Sequence, residues 1–288
     1  MIKIKTLLIL LILNFCVFAQ IKGKITDDKN QPIPFVNIQV ENENIGTTSE
    51  ENGTFIINES VKNKNLVFSA IGYQKQIAKA INNLTVTLQT SEYQLDEVVI
   101  VKKFGTKEKE IGKTDNVTAT AFDNGPKIDA KFFPYLLKYS KTRFIKQIAI
   151  QTDSKLENAN FKIHFYGVDK NGFPADELLH KNLILSVSNG TKKTFFNILD
   201  YNLQIHKNGI FVAFEKLIIE KNKLEKSIID KNNGTIKIQK TYYPFVLCNY
   251  VERDFQFTFS GGKWNKQSRT VADKLMIYEP AINLVLSN

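Results

Sequence analysis

Cysteine is nearly absent from this chain: Cys16 and Cys248 are the two it has. Cys16 falls within an apolar leader, so Cys248 is the single thiol of the remaining chain. One thiol makes no internal disulfide and no thiolate metal site. Histidine is also scarce, with His164, His180 and His206 alone. None begins His-x-x-Glu or belongs to His-Glu-x-x-His, which excludes the common zinc-hydrolase signatures. No Gly-x-Ser-x-Gly elbow is present, which removes the usual serine-hydrolase signature. Long hydrophobic runs are missing after the leader, so no later segment reaches the roughly 20 apolar residues of a membrane-spanning helix.

What is present begins with the leader itself. Lys3 and Lys5 precede an apolar stretch, Leu7 to Val17, broken by Asn14. Val17-Phe18-Ala19 then places small residues at the positions expected for cleavage before Gln20. A basic start, a short apolar centre and a small-x-small exit predict a signal peptide over 1–19 and an exported chain. Cys16 follows Phe15, where a lipid-modified cysteine follows a small residue. It reads as part of the leader, and the lipid-anchored alternative rests on Cys16 alone. The net charge of +10 falls to about +8 without Lys3 and Lys5. The lysines are scattered, with no basic helix and no aromatic-basic motif, so nucleic acid is not expected as a partner. Anionic envelope polymers fit such a surface through general electrostatics.

Alternation dominates from Gln20 onward. Val36, Ile38 and Val40 alternate with Asn37 and Gln39; Leu84, Val86 and Leu88 alternate with Thr85 and Thr87. Turn residues separate these runs, at Asp27 to Asn30, at Asn52-Gly53 and at Ile71-Gly72-Tyr73. Short alternating strands at this spacing predict a β-sandwich over 20–102. Residues 103–130 are rich in Lys, Glu, Thr, Asn and Gly, and read as a linker. From 131 to 288 the pattern returns with more aromatic residues. Phe161, Ile163 and Phe165 alternate with Lys162, His164 and Tyr166, and Ile210 to Phe214 is a nearly continuous apolar run expected of a central strand. Short helices are expected at Phe133 to Tyr139 and Glu215 to Ser227. The fold class is therefore all-β, with two β-sandwiches after a signal peptide.

The first of these regions resembles a known family. Gly23, Pro32-Ile33-Pro34, Gly46-Thr47-Thr48, Asn52-Gly53-Thr54-Phe55 and Ile71-Gly72-Tyr73 are similar to the carboxypeptidase-like regulatory domain common in Bacteroidota exported proteins. The resemblance implies a transthyretin-like sandwich, which in carboxypeptidases accompanies a catalytic domain missing here. In outer-membrane receptors of the TonB-dependent type, a segment like Leu95-Asp96-Glu97-Val98-Val99-Ile100-Val101 ends this domain. On pattern alone it is the last edge strand or the extended exit of the sandwich. The resemblance adds a docking role, by strand addition to an energy-coupling protein. The large barrel of those receptors has no room in the residues that follow. The second region is similar to a jelly-roll domain of Bacteroidota envelope proteins, through Tyr166, Gly172-Phe173-Pro174, Leu178-Leu179, Asp200-Tyr201-Asn202 and Gly209 to Val212. It implies a fold and supplies no reaction.

Candidate chemistry is thin. The three histidines read as surface residues, His164 on the polar face of its strand. Cys248, next to an apolar run, reads as a buried small residue. Asp169, Asn171, Asp176 and Glu177 put oxygen ligands near one another, yet fall short of a full calcium loop and read first as hairpin-turn residues. Tyr242, Tyr243, Tyr250, Arg253 and Trp264 are the residues suited to stacking and hydrogen bonding with a sugar, against the commoner role of aromatic side chains as core. No catalytic residue, metal ligand or cofactor site is assigned. The expectation is a non-enzymatic binding or assembly module of the cell envelope, facing the periplasm or cell surface, whose partner is an envelope protein or a glycan. The alternative is a carbohydrate-binding accessory protein of glycan uptake, with the C-terminal region as its binding part.

Overall fold

The computed structural model describes residues 20–91, 107–112, 118–119, 125–229, 234–271 and 273–288. Leu95 to Val101 lies outside the described residues. The fold is all-β, with four single-turn 3-10 segments and no α-helix among the described residues. No helix among them is long and apolar enough to cross a membrane.

The first unit packs two small sheets face to face. One has Gln20–Thr26 at its centre, antiparallel to Thr54–Asn58 and parallel to Leu84–Thr87. The other runs Gly46–Thr48, Asn37–Val40, Asn65–Ser69, Gln76–Lys79. Inward residues such as Ile25, Ile38, Phe55, Leu66, Phe68 and Val86 form one core between them. Phe55 meets Phe68 across the sandwich edge to face, 5.9 Å between centroids, and burying a ring of this size stabilises by about 2–3 kcal/mol. Gly23 is fixed by that packing. A Cβ there would stand 2.4 Å from the Phe55 ring.

The second unit is a larger sandwich. A seven-stranded sheet is ordered Pro174–Glu177, Ala159–Val168, Ile210–Lys216, Ile128–Phe133, Gln256–Ser260, Lys263–Gln267, with Leu183–Val187 also paired to Ala159–Val168. Facing it, Gly190–Asn197, Phe144–Ser154, Ile282–Ser287 and Glu108–Ile111 form a sheet to which Phe245–Val246 adds. Between them lie Ile148, Ile150, Phe161, Ile163, Phe165, Val212, Phe214, Ile282 and Leu284. Ile210–Lys216 is central and buried along its whole length, as its apolar run predicts.

Three expectations are corrected. Glu108–Ile111 falls in the stretch read as a linker, yet it is the edge strand beside Ile282–Ser287. Only Ile111 of its four residues is fully buried, so charged edge residues hide the strand pattern. The helix expected from Phe133 to Tyr139 is the end of a strand and a single 3-10 turn, Leu137–Tyr139. The one expected from Glu215 to Ser227 is a turn, Glu220–Asn222, followed by the strand Lys223–Ile229.

The two units are packed against each other through polar side chains and a small apolar cluster of Phe35 with Leu217 and Ile219. Asn37 and Gln39, on the outward side of their strand, reach into the second unit. Asn37 Nδ2 donates to Glu215 Oε1 at 2.8 Å, and Gln39 Oε1 accepts from Gly262 N at 2.9 Å. Asn42 N donates to Gly261 O at 3.0 Å. The Gly261-Gly262 turn is docked so closely that a Cβ on Gly261 would lie 2.8 Å from Asn42 Cα, and one on Gly262 2.9 Å from Val67 Cγ2. Both glycines also have positive φ, a region open to glycine and strained for most other residues.

Candidate functional site

A cleft of about 880 Å³ opens where the units meet. One wall comes from the first unit, through Asn37, Ser69 to Ile71, Tyr73, Lys75 and Ser91. The other is the outer face of the seven-stranded sheet, with Lys162, His164, Tyr166, Glu177, Glu215, Phe259 and Trp264. Alternation places these side chains. Ala159–Val168 sends Phe161, Ile163 and Phe165 into the sandwich, so Lys162, His164 and Tyr166 point the other way. Ile210–Lys216 sends Glu215 to the same outer face, where it is register partner to Lys162.

At the inner end of the cleft these charges form a closed network. Lys162 Nζ lies 3.1 Å from Glu215 Oε2 and donates to Phe35 O of the first unit at 2.6 Å. His164 Nε2 donates to Glu215 Oε2 and His164 Nδ1 to Glu177 Oε2, each at 2.7 Å. An imidazole that meets a carboxylate at both nitrogens is held as the imidazolium, a double donor. Burial works against that charge, but Glu177 and Glu215 outweigh it, and the His164 pKa is raised. Glu215 shows the opposite balance. Burial pushes its pKa up, while Lys162, His164 and Asn37 pull it down to about 2. Two cations thus neutralise two anions, and Lys162 and Glu215 are each 1% exposed at the side chain.

Both carboxylates are engaged by several donors. Glu215 accepts from Asn37, Lys162 and His164 together. Glu177 accepts from His164, from Phe165 N at 2.8 Å and from Leu179 N at 3.4 Å. A general acid or base works through a loosely held proton near neutral pH, and Glu215 lies far from that condition.

Further out the cleft is aromatic. Tyr166 stacks on His164, 5.5 Å between centroids and 10° between planes. Burial and the neighbouring Glu177 and Glu215 raise its phenol pKa well above the ordinary value. Trp264 stands edge to face against both Tyr166 at 5.1 Å and Phe259 at 5.4 Å. Lys75 reaches across from the first unit and holds its ammonium 4.9 Å from the Phe259 ring centroid. Desolvation there lowers its pKa.

The sequence candidates scatter. Of Tyr242, Tyr243, Tyr250, Arg253 and Trp264, only Trp264 lines the cleft. Tyr243 is buried and packs on Phe245 at 4.9 Å. Tyr242 sits at the base of a hairpin, paired with Lys223. Tyr250 packs on Tyr278 at 4.8 Å, and Arg253 Nε lies 3.7 Å from Glu279. Asp169 Oδ1 accepts from Asn171 N and Phe173 N of its own turn, each at 2.8 Å. Glu177 is turned to His164, so the oxygen-rich loop does not converge. Among the described residues, no three His, Cys, Asp or Glu side chains are grouped to hold a metal. Cys248 is buried, and burial with nearby Asp129 and Glu279 pushes its thiol up to about 12. His180 and His206 are exposed. His164 corrects the surface reading: it is on the polar face, but the first unit covers that face. Lys162, Glu215 and Tyr166 share one sheet face through register, and what the sequence does not show is that the first unit docks on that face and buries its charges.

Comparison with known proteins bears on the first unit. The model of the CarboxypepD_reg-like domain matches residues 21–100, less than a third of the 288 residues. No curated protein matches the chain. Among solved structures, a DUF3823 family protein from Bacteroides ovatus aligns with 80% of this chain and 95% of its own. Its identity is 10% and its TM-score 0.20. The structure of infectious bursal disease virus, Gx strain, aligns with 88% of this chain and 57% of its own, at 9% identity and a TM-score of 0.21. At those scores neither likeness carries an argument.

Proposed function

We propose that this chain is a non-enzymatic binding module of an exported, envelope-associated protein, and that its ligand enters the cleft between the two units. The observation that carries this is the state of the cleft's charges. Glu177, Glu215, His164 and Lys162 at its inner end are spent on one another, which leaves Tyr166, Trp264, Tyr73 and Lys75, with the exposed Asp176 and His180, to meet a ligand. A concave site with aromatic walls and a few polar groups is the usual form of a binding pocket. The leader over 1–19 and the CarboxypepD_reg-like match over 21–100 support the extracytoplasmic setting. The role of Leu95 to Val101 as a docking strand for an envelope partner belongs to the same reading, as does a jelly-roll second unit.

A carbohydrate ligand is the second reading, favoured by Trp264 and Tyr166 together at the cleft, since sugars stack on such rings. Both units then share the binding, because Lys75 and Tyr73 come from the first. Trp264 is the sole tryptophan, so its fluorescence reports the cleft alone. Titration with envelope glycans and with envelope protein extracts is the test. A saturable change lost in Tyr166→Ala supports a cleft ligand. Turnover of any added glycan or peptide, abolished by Glu215→Gln, overturns the non-enzymatic reading.

A further inference from the structure

The cleft between the units holds a cation that its inner network leaves out. Lys75 comes from the first unit and reaches the second, its ammonium 4.9 Å from the Phe259 ring centroid. Among the described residues it has no hydrogen bond and no carboxylate partner. Desolvation lowers its pKa, and no neighbouring charge raises it, as a nearby carboxylate would. The side chain stays exposed, so a ligand can reach it. Lys162 and His164, by contrast, are already matched by Glu177 and Glu215.

A second group is incomplete at the inner end. Asn37 lines the cleft and is 3% exposed. Its Nδ2 donates to Glu215 Oε1, and a carboxylate only accepts, so the orientation of the amide is set. That leaves Asn37 Oδ1 buried and without a donor among the described residues. Folded proteins seldom leave a buried acceptor so. The same cleft carries the rings of Tyr166 and Trp264, 5.1 Å between centroids.

A ligand that completes this cleft needs a donor for Asn37, an apolar face for the rings and an anion for Lys75. An inorganic anion meets the last alone. An acidic peptide supplies charge and donors, but on side chains whose freedom is lost on binding. A sugar acid carries all of these on one rigid ring, with C–H groups on its face and hydroxyls and a carboxylate at its rim. Rigidity lowers the cost of ordering. The cleft, at about 880 Å³, has room for a short oligomer. Asp176, on the opposite wall, is exposed, and water and salt screen its repulsion.

Building on the cleft-ligand reading above, we propose that the ligand is an acidic sugar whose carboxylate pairs with Lys75 and whose hydroxyl donates to Asn37 Oδ1, its ring lying against Trp264 and Tyr166. The test follows Trp264 fluorescence of the chain from Gln20 onward. The probes are short oligomers of galacturonate and of glucuronate, each beside its neutral methyl ester, with oligoglucosamine as a cationic sugar and hexaglutamate as an acidic peptide. The expected result is a saturable change with a uronate, weakened about tenfold by esterification and by Lys75→Met, and kept by Lys75→Arg. The ester should bind Lys75→Met and the parent chain alike. Equal binding of acid and ester, indifference to Lys75→Met, a preference for oligoglucosamine or hexaglutamate, or no response to any probe overturns the proposal. Whether the cleft takes a ligand at all is a separate matter. That fails only if envelope glycans and protein extracts give no saturable change lost in Tyr166→Ala.

Discussion

The sandwich-facing side of the seven-stranded sheet and the charged inner end of its outer face are both buried and differently built. Toward the sandwich, Phe161, Ile163, Phe165, Val212 and Phe214 exclude water by apolar contact. Toward the first unit, Lys162, His164 and Glu215 exclude it while charged. The apolar face tolerates loss of one member as a cavity. The charged face depends on all of its members, because removal of one leaves another charge buried without a counterpart. The inner face accounts for stability through area. The outer face fixes one docking of the first unit, through Asn37 on Glu215 and Lys162 on Phe35 O.

The sharpest way to break this contrast is Glu215→Ala. It strands Lys162 and His164 and should destabilise by about 3–5 kcal/mol, measured by urea unfolding. Adding Lys162→Met should recover part of the loss, a rescue with no equivalent on the apolar face. Next, Gly261→Ala places a Cβ 2.8 Å from Asn42 Cα at a positive φ. It should cost about 1–3 kcal/mol and loosen the first unit before the second melts, visible as faster hydrogen exchange confined to the interface. On the apolar face, Ile163→Val should cost about 0.5–1.5 kcal/mol. Lys75→Met, in the cleft but outside the network, should change stability by no more than about 0.5 kcal/mol while altering ligand response.

Acidity separates the faces without mutation. The Glu215 pKa falls from 4.5 to about 2 on folding, so its contribution is full above pH 4.5 and is lost as pH drops through about 2. The His164 pKa rises above 6.5, so its contribution is full below pH 6.5 and is lost as pH climbs through the raised value. Stability should therefore plateau from about pH 4.5 to 6.5. In Glu215→Gln the acid-side loss near pH 2 should shrink. A profile with no fall on either side would remove the network from the energetics.

Alternation made the strands legible. Asn37–Val40, Ala159–Val168 and Ile210–Lys216 lie where the pattern puts them. What alternation does not encode is whether a polar face meets water or another polar face. Asn37 and Gln39 on one strand and Lys162 and His164 on another carry the same signal, and both faces are covered by each other. The candidate site was illegible for that reason. Trp264 is a ligand candidate by its type, but the other residues of the cleft come from segments as far as Asn37, about 230 residues earlier in the chain. Glu108–Ile111 was missed because an edge strand shows one apolar residue to the core and charges elsewhere.

The strand Ile282–Ser287 lies inside its sheet, between Phe144–Ser154 and Glu108–Ile111. That placement sets an order of assembly. The first unit has all of its described strands once Thr87 has emerged, and its contacts are comparatively local. The second has an open seam between Phe144–Ser154 and Glu108–Ile111 until residues 282–287 arrive to fill it. Until then, Ile148 and Ile150 face an incomplete layer, and the outer sheet has no settled partner for the first unit. A chain emerging N-terminus first from the export channel therefore carries a finished sandwich ahead of an exposed half-sheet for the whole interval between the two, which is when a holding chaperone has most to protect.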